Sequence, residues 1–206
     1  MQSSLLDLFE VTKEELHPEL TKYRLYCDMD GVLCDFREQY DHLFGMTPDQ
    51  AKERFGRAGF WSRIHNHGSG FWATMPWTPS GLTLWNSIKQ HNPKLLTAPP
   101  IDKSTGELDA PSKEGKASWA GKHLGISLSD IIFRVAEDKH LEAKKDVANG
   151  FIPILIDDKK TTVDSWNDAG GIGIYHPENT KSIDPILERL RKLYKEDGGE
   201  STKEGV

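Results

Sequence analysis

Apolar residues cluster into short runs separated by polar, glycine- and proline-containing stretches. Tyr23-Arg24-Leu25-Tyr26-Cys27, Pro93-Lys94-Leu95-Leu96-Thr97, Ile131-Ile132-Phe133-Arg134-Val135, Ile152-Pro153-Ile154-Leu155-Ile156 and Ile172-Gly173-Ile174-Tyr175 are each too short for a helix. Bounded by breakers, they read as buried strands. Pro153 lacks an amide donor and should therefore stand at the start of its strand. Between the runs, apolar positions recur at helical spacing: Leu82, Leu84, Trp85 and Ile88, then Lys116 to Leu124 with Gly125 as C-cap, then Thr162 to Ala169, then Ile183 to Tyr194. Strand and helix alternate, which predicts right-handed βαβ units and a mostly parallel, Rossmann-like α/β sheet covered on both faces.

Two segments depart from that alternation. Leu5, Leu6, Leu8, Phe9, Val11, Leu16 and Leu20 predict an amphipathic helical extension over residues 1–22, capped by Ser3 or Ser4. Residues 37–78 are rich in aromatics, histidines and glycines, with short helices expected over Gln39 to Phe44 and Pro48 to Phe55. This block reads as a small, mainly helical cap inserted after the first core strand. The core is then 23–36 and 79–195, residues 99–115 read as a loop, and residues 196–206 read as a disordered tail.

Composition narrows the function. The formal net charge is −6, from 26 Lys and Arg against 32 Asp and Glu. A chain acidic on average lacks the basic footprint of a general nucleic-acid binder, so no stable nucleic-acid complex is expected. Cys27 and Cys34, the only cysteines, form neither a disulfide framework nor a zinc pattern. His65 and His67, two apart with no third ligand nearby, read as exposed loop residues. The first residues lack a basic n-region and an apolar core, and no run is long enough to span a membrane. A cytoplasmic location and no membrane partner are expected.

Ligands of an open α/β sheet sit at the carboxyl ends of its strands. The first predicted strand ends in Asp28-Met29-Asp30-Gly31, the second in Thr97-Ala98 and the fourth in Asp157-Asp158. Gathering Asp28, Asp30 and Asp157 concentrates negative charge that a hard, oxygen-liganded cation such as magnesium would neutralise. One carboxylate can attack phosphorus while a second moves the proton. Thr97 and the Ala98 amide offer donors to phosphate oxygens, and a lysine is needed to balance the charge.

With these residues in view, Asp28 to Phe36 (DMDGVLCDF) resembles motif I of the haloacid-dehalogenase superfamily, Thr97 its motif II, and Asp157-Asp158 its motif IV. More narrowly, the chain is similar to the 5'(3')-deoxyribonucleotidase family of phage and bacterial type. Asp35-Phe36, Lys116-Ala-Ser-Trp119, Asn149-Gly150 and Gly170-Gly171-Ile172-Gly173-Ile174 carry that narrower likeness, which runs over roughly residues 22–176. The resemblance implies Asp28 as nucleophile and magnesium ligand. It implies Asp30 as general acid/base and as a ligand through its backbone carbonyl, Asp157 as third ligand, and Asp158 as support through water or the lysine. Thr97 and Ala98 would hold phosphate. For the motif III lysine, counting back from Asn149-Gly150 favours Lys144, with Lys139 and Lys145 as alternatives. Phe36, Phe71 and Trp72 are the expected substrate pocket, with a ring stacked on a base. The implied activity is magnesium-dependent hydrolysis of a nucleoside monophosphate through an aspartyl-phosphate, and a homodimer is compatible with it. The rivals are a related phosphatase acting on polynucleotide 3'-ends or sugar phosphates, a phosphomutase, and a non-catalytic nucleotide binder.

Overall fold

A computed structural model describes residues 22–198, so the helix expected at the N-terminus and most of the tail lie outside the described residues. Five strands form one parallel sheet: β1 (Tyr23–Cys27), β2 (Lys94–Thr97), β3 (Ile131–Phe133), β4 (Ile152–Asp157) and β5 (Ile172–Tyr175), in the order β3-β2-β1-β4-β5. The chain builds outward from β1 to β3 on one side, then crosses to β4 and β5 on the other. The direction of winding therefore switches between β1 and β4, which is where such sheets form a crevice. Pro153 is the second residue of β4, one position before pairing with β5 begins at Ile154, so it stands at the margin of the doubly paired stretch.

Side chains alternate across the sheet with the period of two that a strand imposes. Leu25, Cys27, Leu95, Ile154 and Ile156 join the larger core, which also receives Leu84, Trp85 and Ile88 of α4 (Gly81–Ile88), Trp119 and Ala120 of α5 (Ala110–Leu124), and Ile186 and Leu190 of α8 (Asp184–Gly198). Tyr26, Leu96 and Leu155 face the other way, against Ala143 of α6 (His140–Ala148) and Trp166 of α7 (Lys160–Asp168). Each leucine or isoleucine side chain buried here contributes roughly 1.5–3 kcal/mol. The architecture is a doubly wound α/β sheet, as the strand and helix pattern predicts.

Between β1 and α4 the chain makes α1 (Phe36–Phe44), α2 (Pro48–His67) and α3 (Ser69–Ala73). The insertion is more helical than its sequence suggests. Asp35 starts α1 early by accepting the Glu38 amide, and Thr47 and Gln50 form a capping box at the start of α2. Helix α2 runs on to His67 but is broken at Gly56, whose φ of 68° no other residue type adopts readily. Likewise α5 begins at Ala110, inside the segment read as loop, because Asp109 accepts the Ser112 amide and Pro111 fits the first turn.

The two connections to the insertion are stitched together. The Asp35 amide donates to Pro76 O at 2.8 Å, the Thr78 amide to Leu33 O at 2.9 Å, and Thr78 Oγ1 to Val32 O at 2.7 Å. Helix α3 then lies tightly on α5: a Cβ at Gly115 would fall 2.3 Å from Ser69 O and 2.6 Å from the Trp72 Cβ. Trp119 Nε1 donates to Met75 O at 2.8 Å across the same seam.

Candidate active site

Asp28 continues β1 by one residue, its amide donating to Ile156 O at 2.9 Å, and Asp157 closes β4 beside it. Both carboxylates are buried at the switch point of the sheet. After Asp28 the chain turns sharply. Met29 O accepts the amides of Val32, Leu33 and Cys34, and Gly31 takes φ 82°. Glycine is required there twice over, because a Cβ would also sit 2.5 Å from Asp158 Oδ2.

Lys139 is the lysine that reaches these carboxylates. Its Nζ lies 2.9 Å from Asp28 Oδ1 and 2.8 Å from Asp157 Oδ2, and its side chain is 2% exposed. Burial opposes the ammonium's charge, yet Asp28 and Asp157 beside it hold Lys139 above its ordinary value. The expectation for Lys144 is corrected. Lys139 precedes α6 and points into the crevice, whereas Lys144 and Lys145 lie on the exposed face of that helix, with Lys145 near Glu142.

A second buried ammonium approaches from the opposite flank. Lys116 of α5 is fully buried; its Nζ donates to Asp30 Oδ2 and, at 2.9 Å, to Thr97 Oγ1. The Trp72 ring covers it, with Nζ 5.0 Å from the centroid. Asp30, 28% exposed, thus points away from the Asp28 cluster toward β2. Its other oxygen takes the Cys34 thiol at 3.6 Å, and Cys34 packs as the small buried residue its sequence position suggests. Ala98 follows Thr97 as a half-buried residue at the end of β2.

The carboxylates themselves define a cation position. Asp28, Asp157 and Asp158 each present an oxygen within 4.8 Å of the others. Lys139 supplies one compensating charge to three acids. Burial, with the negative charge of Asp28 close by, pushes Asp157 up to about 6. Burial, together with Asp28 and Asp157, pushes Asp158 up to about 8. Asp158 Oδ1 is buried without a hydrogen-bond partner. An orphaned carboxylate oxygen in an oxygen-only, charge-dense cluster fits a hard divalent cation, and the residues present would hold one. Asp158 belongs to this cluster directly, whereas the sequence reading had placed it behind the ligands; the Asp30 side chain does not.

The aromatic expectations divide. Phe71 is fully buried and packs on Phe36, Tyr40, Phe44 and Trp72, so it fills the insertion's own core and offers no face to a base. Trp72 is 2% exposed and lies over Lys116. Phe36 and its neighbour Trp61, ring centroids 6.4 Å apart, are the half-buried members of the cluster.

No family model matches the chain, and no curated protein matches it. It is distantly similar to solved structures. A hydrolase from Streptococcus pneumoniae TIGR4 is 15% identical, with a TM-score of 0.44 over 82% of this chain and 99% of that one. A HAD family enzyme from Bacteroides thetaiotaomicron, in a magnesium complex, is 12% identical, with a TM-score of 0.45 over 80% and 98%. A HAD hydrolase, family IA, variant 3, from Entamoeba histolytica is 15% identical, with a TM-score of 0.44 over 81% and 88%. Likeness at this level assigns the chain to no family and no reaction.

The residue that sequence reasoning missed is Lys116. It stands in a segment that carries the narrower likeness and opens a predicted helix, but no role was assigned to it. The available signal was a lysine on the side of that helix shared with Trp119 and Ala120, where a solvated residue would not belong.

Proposed function

We propose that this chain is a magnesium-dependent phosphate monoester hydrolase of the haloacid-dehalogenase type that works through an aspartyl-phosphate on Asp28. The observation that carries the reading is the division of labour around Asp28. Its Oδ1 accepts from Lys139 and from the Met29 amide at 2.8 Å, which fixes the carboxylate and leaves Oδ2 as the nucleophilic atom. Bound by Asp28, Asp157 and Asp158, magnesium would neutralise the phosphoryl oxygens and the nucleophile together.

Asp28 Oδ2 attacks phosphorus, and the bond from phosphorus to the leaving oxygen breaks. Asp30 donates a proton to that oxygen, and Lys116 and Thr97 turn their donors to the phosphoryl group. In the second step Asp30 takes a proton from the water that attacks phosphorus, the bond to Asp28 breaks, and inorganic phosphate leaves. Supporting this role, Lys116 joins the Asp30 carboxylate to Thr97, away from the cation cluster.

The substrate implied by the motif resemblance is a nucleoside monophosphate. With Phe71 and Trp72 buried, Phe36 and Trp61 are the ring surfaces left to meet a base. The test is phosphate release from nucleoside monophosphates, sugar phosphates and p-nitrophenyl phosphate, with magnesium and with excess EDTA. Release from nucleotides that EDTA abolishes is expected, together with an Asp30→Asn rate lower by about 10²–10⁴-fold. No release from any small monoester would overturn the hydrolase. Release from sugar phosphates alone would keep the chemistry and overturn the nucleotide.

A further inference from the structure

Helix α2 carries a local excess of positive charge. Between Gln50 and His67 stand Lys52, Arg54, Arg57 and Arg63 against a single acid, Glu53, in a protein where acids outnumber bases. Lys52 has a loose contact of 3.5 Å with Asp49. Among the described residues, Arg54, Arg57 and Arg63 meet no carboxylate.

Aromatic rings meet two of these cations instead. The Arg63 guanidinium lies 4.1 Å from the Phe55 centroid and 5.9 Å from that of Phe44, and the Arg54 guanidinium lies 5.2 Å from Phe55. Ala51, Phe60 and Ile64 fill the inner face of the helix, whereas Arg54 and Arg57 are exposed and Phe55 is 37% exposed beside them. The break at Gly56 falls between Phe55 and Arg57 and interrupts the regular helical surface there.

Guanidinium groups are planar and weakly hydrated; they bind phosphate through paired donors and stack on bases. A cluster of them without carboxylate partners, on a chain of net charge −6, locally offsets the repulsion a polyanion would otherwise meet. Charge alone would suit an acidic peptide or an anionic membrane equally well. The Phe55 ring with flat cations on it adds stacking surface of the kind exposed bases use, and a single strand exposes them where a duplex does not. We propose that the outer face of α2, centred on Phe55 and framed by Arg54, Arg57 and Arg63, docks single-stranded nucleic acid. The expectation of no stable nucleic-acid complex came from the mean charge of the chain, and this local concentration departs from it. The inference is independent of the phosphatase reading.

The test is fluorescence anisotropy with a labelled oligothymidylate, in EDTA and at low salt, on the full chain. Wild type should bind, with log affinity falling against log salt with a slope of about −2, as for three phosphate contacts on a single strand. The triple variant Arg54→Ala, Arg57→Ala, Arg63→Ala should bind about tenfold to a hundredfold more weakly. Phe55→Ala alone should weaken binding without changing the salt slope. Lys144→Ala, an exposed lysine on the far helix α6, should bind as wild type does. Unchanged magnesium-dependent turnover of p-nitrophenyl phosphate and an unchanged melting temperature in the triple variant show that the fold survives. Absence of binding by wild type, or equal binding by the triple variant, overturns the proposal. So does displacement by polyglutamate or anionic phospholipid vesicles as effective as by unlabelled oligonucleotide.

Discussion

Lys139 and Lys116 are both buried ammonium groups, and they reach the end of β1 from opposite flanks. Lys139 sits on the β4 side between two carboxylates that are themselves almost wholly buried. Lys116 sits on the β2 side with one partly exposed carboxylate, a hydroxyl and an indole face. The β4 flank is therefore a dense cluster of charge in which every group depends on its neighbours, suited to holding a cation and a nucleophile. The β2 flank is a more dilute arrangement in which Asp30 and Lys116 can change partners when a phosphate arrives. In the proposed mechanism that difference separates the group that would bond to phosphorus from the group that would move the proton.

The largest effect should come from the β4 flank. Asp28→Asn is expected to lower turnover by about 10⁴-fold or more while the circular dichroism spectrum stays native, because an amide is neither a competent nucleophile nor a strong ligand. Near-normal turnover by the folded variant would remove the mechanism.

The two lysines should also differ in stability. Lys139→Met strands Asp28 and Asp157 in the interior and should cost about 3–5 kcal/mol in urea unfolding without magnesium. Lys116→Met leaves Asp30 with access to water and should cost under about 2 kcal/mol. A reversed order would mean that the flanks have been assigned the wrong way round.

The same comparison predicts a pH dependence. Asp157 and Asp158 are raised to about 6 and about 8 in the folded protein. Each holds its proton there to a higher pH than in the unfolded chain, where carboxyls titrate near about 4. The folded state binds more protons across that window, so metal-free stability falls as pH rises from about 4 through about 8. A cation bound by the ionised cluster opposes that loss. Magnesium should therefore raise the melting temperature more at pH 8 than at pH 5, and an equal rise at both would contradict the cluster assignment. At the bottom of the scale, Lys144→Met should leave activity unchanged and stability within about 0.5 kcal/mol.

What could be read from the sequence follows the same division. Asp28, Thr97 and Asp157 are legible because an apolar run ends on each of them, and a strand of fixed rise puts its last residue at the sheet's edge. Lys139 is harder because it lies in a tight turn between β3 and α6, where no periodicity fixes which residues face inward. Counting back from Asn149-Gly150 ran into an exposed helix face and settled on Lys144. Phe71 and Trp72 misled because stacking on a ligand and stacking on one another require the same residue types. The core of a small helical insertion uses both, and only the packing shows which. The first turns of α5 were legible in principle, from Asp109 and Pro111, but the charged and small residues around them read as loop.

The central claim is that Asp28 takes the phosphoryl group. Wild type should be mixed with a turned-over phosphate monoester and magnesium, quenched in acid within one turnover, and treated with borohydride, which reduces an acyl-phosphate to the alcohol. Peptide mass spectrometry should then find homoserine at position 28 and an unmodified aspartate at position 30, with neither change in the absence of substrate. Reduction at any other carboxylate, or none at all while phosphate is released, would contradict the account.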